Sequence, residues 1–208
     1  MKKPVILAAT LLAFATVSPA FGFRALDIAA GRGNLHNLSA LEASAIQGDK
    51  QAQFQLGGYY DSEGDHAEAI HWYRKAAQQG DARAENIIGL AYYKGSGVPR
   101  NYQKAVRWYR KAAEQGDALA ENNLGKAYYF GQGVPQNYGK AVHWFHLAAQ
   151  RGLVNAEANL GDAYAHGLGV PRNIPKAIYW WKKAAAQGGR VGTLAQHNIN
   201  FYEHHGAG

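Results

Sequence analysis

The stretch GSGVPRNYQKAVRWYRKAAEQGD, Gly95 to Asp117, decides the fold because the chain writes it three times. It returns as GQGVPQNYGKAVHWFHLAAQRGL from Gly131 to Leu153 and as GLGVPRNIPKAIYWWKKAAAQGG from Gly167 to Gly189, each copy starting 36 residues after the last. Such a period marks an array of repeated supersecondary units. Within the stretch, Ala105, Trp108, Tyr109, Ala112 and Ala113 stand at i, i+3, i+4, i+7 and i+8. That spacing lines one face of an α-helix and would scatter over both faces of a strand. The stripe recurs as Ala69, Trp72, Tyr73, Ala76 and Ala77, as Ala141, Trp144, Phe145, Ala148 and Ala149, and as Ala177, Trp180, Trp181, Ala184 and Ala185. Its strict recurrence reads as core, with the Trp and Tyr rings filling gaps between helices.

Upstream lies a second helical stripe: Ala84, Ile88, Ala91 and Tyr92, echoed by Ala120, Leu124, Ala127 and Tyr128 and by Ala156, Leu160, Ala163 and Tyr164. Gly57, Gly89, Gly125 and Gly161 sit within these first helices, where paired helices can approach closely. Gly95, Gly131 and Gly167 stand where a left-handed residue ends a helix. The Val-Pro pairs that follow fix an extended segment, and Asn101, Asn137 and Asn173 offer caps for the second helix. Asp65 followed by Glu68 makes a capping-box pattern. Lys104, Lys140 and Lys176 fall in the first turn of the second helix, against its dipole, and nothing local explains them.

The repeats extend outward to four copies, 49–80, 81–116, 117–152 and 153–188, the first shortened to 32 residues through the linker SEGD. The pattern A-x-x-x-L-G-x-x-Y, G-x-G-V, K-A, W-Y, K-A-A, x-G closely resembles the Sel-one-like repeat of the tetratricopeptide superfamily. The resemblance covers about 140 residues, and its departures are the shortened linker and Asn where the family often has Asp at the cap. It implies an all-α fold: a right-handed superhelical solenoid of stacked antiparallel helix pairs, with a concave groove lined mainly by the first helices. The residues alone reach a stacked array without its hand. At the ends, 23–48 reads as a lead-in followed by a capping helix from Asn37, and 189–208 as a closing helix from Thr193 plus a tail. Terminal units need a polar outer face because nothing stacks on them.

Residues 1–22 read differently. Lys2 and Lys3 precede an apolar run from Val5 to Val17 and the small-residue site Ser18-Pro19-Ala20, the pattern of a cleavable secretory signal. The run is too short to span a bilayer, so the expected localisation is periplasmic or secreted, with the mature chain starting near Phe21 or Phe23. Removing Lys2 and Lys3 from 22 basic residues leaves 20 against 15 acids. The absence of cysteine excludes disulfides and thiolate chemistry.

A search for chemistry finds none: no H-E-x-x-H, G-x-S-x-G, P-loop or S-x-x-K pattern is present. His143 and His146 lie one helical turn apart but occupy the solvent-facing slots of Arg107 and Arg110, and His204-His205 sit in the tail. Asp162 has no evident partner at fixed spacing. No catalytic, cofactor or metal residue is therefore assigned. Arg74, Arg107, Arg110, Lys111, Lys140, Lys182 and Lys183 gather on second helices, which the resemblance places on the convex face. They suit weak contact with anionic envelope surfaces, or simply a solvated face, and nucleic acid is not expected.

Function then falls to the variable first-helix positions. The resemblance to tetratricopeptide grooves turns inward Arg83, Asn86, Leu90, Tyr93 and Lys94 in the second copy. In the third it selects Leu119, Asn122, Asn123, Lys126, Tyr129 and Phe130, and in the fourth Asn155, Asn159, Asp162 and His166. Asn can hydrogen-bond an extended peptide, while Tyr and Phe give apolar anchors; ordinary variation on exposed helix faces is the competing reading. The expectation is a monomeric, non-enzymatic scaffold that binds a protein or peptide in the envelope. The alternative is penicillin-binding, weak β-lactamase-like or peptidoglycan-related activity, as in the cysteine-rich branch of the family, whose paired cysteines this chain lacks.

Overall fold

The computed structural model describes residues 32–205, with side chains from 38 to 204, so the expected export signal lies outside the described residues. Ten α-helices follow one another: α1 (Arg32–Ile46), α2 (Lys50–Ser62), α3 (His66–Gln78), α4 (Ala82–Lys94), α5 (Tyr102–Glu114), α6 (Ala118–Phe130), α7 (Tyr138–Gln150), α8 (Val154–His166), α9 (Ile174–Ala186) and α10 (Gly189–His205). No strand occurs among the described residues. Helices α2/α3, α4/α5, α6/α7 and α8/α9 form hairpins, and each hairpin packs its second helix against the first helix of the next. Helix α1 begins at Arg32, five residues before the expected Asn37, and α10 at Gly189, four before Thr193.

Local chemistry sets the boundaries. Asp49, Asp81 and Asp117 accept from the third amide of α2, α4 and α6, while Asn101, Asn137 and Asn173 accept from Lys104, Lys140 and Lys176 N at 2.9 Å. At α8 the cap is Leu153, which makes no side-chain cap bond. Gly95, Gly131 and Gly167 close the first helices in the left-handed region, with φ of 82°, 69° and 70°. The second glycine of each GxG meets the previous repeat: a Cβ on Gly97 would collide with the His66 carbonyl, and one on Gly133 with that of Tyr102.

Packing explains the helix glycines. A Cβ built on Gly89 would stand 2.6 Å from the Tyr109 ring, and one on Gly125 2.6 Å from Phe145. An aromatic ring from each second helix thus lies across bare backbone of the first. Leu56, Ile88, Leu124 and Leu160, one per repeat, are wholly buried. The tryptophan stripe has two depths. Trp72, Trp180 and Trp181 are buried, but Trp108 and Trp144, one helix position before the rings that reach the glycines, are only partly buried. The expectation that every member is core is corrected at those two residues and at Ala185, which is also only partly buried. The Lys111 ammonium lies 4.8 Å over the Trp108 ring.

Two side-chain ladders join successive repeats. Gln79 donates to Gln53 (2.8 Å), Gln115 to Glu85 (2.6 Å), Arg151 to Glu121 (3.2 Å) and Gln187 to Glu157 (2.8 Å). The three glutamates are at most 5% exposed, and such carboxylates are tolerated in a core only when paired. Burial pushes the carboxyls of Glu85 and Glu121 above their ordinary range, with Lys111 and Gln115, or Arg151, only partly offsetting it. In the second ladder Asn123 donates to Asn86 and Asn159 to Asn122, both at 3.0 Å.

The lysines that oppose the helix dipole also acquire a reason. Lys104, Lys140 and Lys176 each place their ammonium 5.4 Å from the ring of Tyr92, Tyr128 and Tyr164. Such a contact contributes about 0.5–1 kcal/mol at an exposed site, comparable to the roughly 0.3–1 kcal/mol dipole penalty it opposes.

Candidate functional site

The repeat geometry creates three clefts at equivalent places, one per junction, where a hairpin meets the next first helix. The first, about 140 Å³, is lined by Asp61, His66, Ile70, Tyr73, Leu90 and Lys94 among others. The second, about 70 Å³, is bounded by Leu90, Tyr93, Tyr102, Tyr109, Asn123 and Lys126. The third, about 180 Å³, is formed by Lys126, Tyr129, Phe130, Phe145, Asn159 and Asp162. Successive clefts share a wall: Leu90 stands between the first two, and Lys126 between the second and third.

Of the expected groove residues, Leu90, Tyr93, Lys94, Asn123, Lys126, Tyr129, Phe130, Asn159 and Asp162 line these clefts. The structure does not bring the others there. Asn86 and Asn122 are 7% and 6% exposed, and their oxygens accept from the next repeat. They are ladder members rather than free groups for a peptide backbone, which corrects that expectation. Arg83 is bound to Asp81 and Gln51 and stacks 4.1 Å over Phe54. Leu119, Asn155 and His166 are exposed outside the clefts. Asp162 does have a partner: Trp181 Nε1 donates to its Oδ1 at 3.1 Å.

Sequence reasoning missed Asp61, His66, Tyr102, Gln132 and Phe145, because the clefts draw on second helices and turns as well as first helices. A signal existed: His66, Tyr102 and Tyr138 occupy one slot, the first residue of the second helix. Tyr93 packs on Tyr102 (5.4 Å between centroids) and Tyr129 on Tyr138 (5.1 Å).

The electrostatics differ from cleft to cleft. Burial raises the Asp162 carboxyl, opposed by the Trp181 hydrogen bond and His166. Burial also raises the Tyr129 phenol, helped by Tyr138 and Asp162, and burial with the Asp61 charge pushes Tyr73 up to about 12. None of these groups is placed as a nucleophile beside a base, and no three His, Asp or Glu side chains among the described residues form a metal-binding group. Neither is any described helix long and apolar enough to cross a membrane. The arrangement offers shaped recesses, donors and acceptors, and one cation per wall or rim.

Known proteins share this architecture. The Sel1 repeat family matches four times, at residues 50–81, 82–117, 118–153 and 154–189. A Sel1 repeat protein from Oxalobacter formigenes superposes with a TM-score of 0.75 at 36% identity, covering 83% of this chain and 71% of that one. A protective antigen present in uropathogenic Escherichia coli strains, which displays an SLR fold, gives a TM-score of 0.75 at 38% identity. That alignment covers 80% of this chain and 36% of the antigen, so the chain spans about a third of its length. No curated protein matches the chain. Sel1 repeat proteins generally mediate protein–protein interactions and are typically non-enzymatic scaffolds. By its four matched repeats and its stacked helix hairpins, this chain belongs to the Sel1 repeat family.

Proposed function

We propose that this chain is an exported, non-enzymatic adaptor that holds another protein or peptide along the groove formed by its first helices. The observation that carries the reading is the row of three equivalent clefts. Their position repeats with the fold, while their linings change from mixed charge to tyrosine to tyrosine-phenylalanine. A surface whose geometry is periodic and whose chemistry is not suits recognition of one extended partner. Export rests on Lys2, Lys3 and the apolar run Val5 to Val17. In this reading 1–22 is the leader, 23–48 the lead-in and first cap, and 189–208 the closing cap and tail.

The deciding experiment is an affinity pull-down from the native envelope followed by titration of the recovered partner. Changing Tyr93→Ala together with Tyr129→Ala removes an anchor from two adjacent clefts. Anchors of this kind commonly contribute about 2 kcal/mol each, so affinity should fall by roughly 10³-fold if the losses add. Arg107→Glu, on an exposed second-helix position, should leave it nearly intact. The opposite ranking would make the basic second-helix face the docking surface. Intact mass of the protein from its own host tests export, an uncleaved chain counting against it.

A further inference from the structure

The slot that forms the wall between clefts reads Leu90, Lys126 and Asp162 in three successive repeats, changing from apolar to cationic to anionic. Lys126 is exposed, and among the described residues no ion pair or hydrogen bond engages its ammonium. It rises between a recess lined by Leu90, Tyr93 and Tyr102 and one lined by Tyr129, Phe130 and Phe145. The two recesses differ in capacity. A dry cavity of about 150 Å³ is known to admit a benzene ring, so the 180 Å³ cleft accommodates one aromatic side chain. The 70 Å³ cleft admits only a small aliphatic group.

The larger recess also has polar lining. Asn159, which lines the recess, donates through Nδ2 to Asn122, and among the described residues its side-chain oxygen accepts no hydrogen bond. Asp162 accepts from Trp181 through Oδ1, and its second oxygen can take a further donor. An aromatic ring carrying an O–H or N–H therefore suits this recess better than a bare phenyl group. Lys126 favours a negative charge opposite the shared wall; the acid across the larger recess, Asp162, is already engaged by Trp181, and burial raises its carboxyl toward the neutral form.

We infer that the groove selects an extended peptide segment bearing an acidic residue opposite Lys126, flanked by a tyrosine or tryptophan seated in the recess against the Tyr129–Phe130 pair and by a small aliphatic residue beside Tyr93. This rests on the groove reading proposed above and specifies its partner. Stacked helices lie about 8–10 Å apart and an extended chain advances about 3.3 Å per residue. The acidic and aromatic residues should thus fall within about four positions of each other.

The test is selection from a displayed library of random twelve-residue peptides against the full chain, its Lys126→Glu variant and its Lys126→Met variant, which keeps the apolar stem. The parent should enrich peptides pairing Asp or Glu with a nearby Tyr or Trp. Lys126→Met should weaken those peptides about tenfold or more, and Lys126→Glu should shift the selected residue to Lys or Arg. Circular dichroism confirms that the variants stay folded, as expected for an exposed side chain. If the parent selects peptides that depend on Tyr93 and Tyr129 but show no acidic preference, this inference fails and the groove reading stands. If acidic peptides bind regardless of the aromatic residue and are lost with modest salt, Lys126 belongs to a diffuse cationic surface and the inference also fails. Should no selected peptide depend on Tyr93 or Tyr129, both readings fall.

Discussion

Replacing Gly125 by alanine sets helix propensity against packing at a place where the structure decides the winner. In a helix interior the change should stabilise by up to about 1 kcal/mol. Here the new Cβ would stand 2.6 Å from Phe145 Cδ1 and Cε1 and 3.2 Å from the Ala141 carbonyl oxygen. Carbon atoms settle at about 3.5–4.0 Å, so the ring must retreat by roughly 1 Å. Phe145 is 2% exposed and sits in the continuous core, and forced overpacking of this kind costs about 1–3 kcal/mol. The net expectation is a loss of up to about 2 kcal/mol. Gly139, in the first turn of α7, is the control: its Cβ would meet only Asn137 Oδ1, at 3.5 Å. Gly139→Ala should stabilise by about 0.5 kcal/mol. Urea titration reads both through the midpoint at constant slope. Because repeat arrays can unfold in parts, hydrogen exchange at the α6 and α7 amides should accompany it. Pairing Gly125→Ala with Phe145→Leu should cost less than the sum of the two changes. If Gly125→Ala proves as stabilising as Gly139→Ala, the ring does not lie on the backbone and the account of the hairpin is wrong.

Glu85→Gln copies Gln53 of the first repeat. An acid whose folded pKa is raised contributes fully below its unfolded value of about 4.3 and loses that contribution as pH climbs through the folded value. The variant should therefore gain on the parent between pH 5 and pH 8, by something on the order of 1 kcal/mol; urea midpoints that diverge the other way would contradict the burial account of Glu85. Trp181→Ala, at a residue 1% exposed and hydrogen-bonded to Asp162, should cost about 3–5 kcal/mol. Trp108→Ala should cost less than that, since the ring is only partly buried, and equal losses would place Trp108 deeper than described. A chromogenic β-lactam incubated with pure protein should show no saturable turnover.

Much of the fold was legible because its determinants are local. The i, i+3, i+4 stripes, the Asn caps and the closing glycines each act within one turn of chain. Depth was not legible: Trp108 and Tyr109 are neighbours in one stripe, yet only Tyr109 reaches the bare backbone of Gly89. Neither was the glutamate ladder, since Glu121 finds Arg151 thirty residues on and an isolated Glu reads as surface. Lys104 looked misplaced because its partner, Tyr92, lies on the preceding helix. Of the candidate site, the aromatic and lysine positions were readable from the slots beside each helix glycine. Asn86 and Asn122 were not, because Asn122 and Asn123 look alike in sequence while one is bonded forward and the other back along the array. Tyr102 and Phe145 escaped because a cleft among three helices cannot be read from the face of one.

Leu153, where its counterparts are Asp49, Asp81 and Asp117, leaves the start of α8 without a side-chain acceptor. Its own carbonyl takes the Ala156 amide instead, in a tightened first turn. The buried core runs past this helix end: the main cluster reaches Ala156 and Leu160 of α8 and Trp180 of α9, while Ala165, Ala177, Trp181 and Ala184 join Ala195 and Ile199 of α10, and Ala45, Ala52, Leu56 and Trp72 gather at the other end. A chain pulled from its ends therefore meets one helix-end hydrogen bond fewer at the first turn of α8, while Ala156, Leu160 and Trp180 keep α8 and α9 tied to the main cluster. The proposed groove feels that missing bond directly, because Asn159 and Asp162 of the third cleft stand on this same helix.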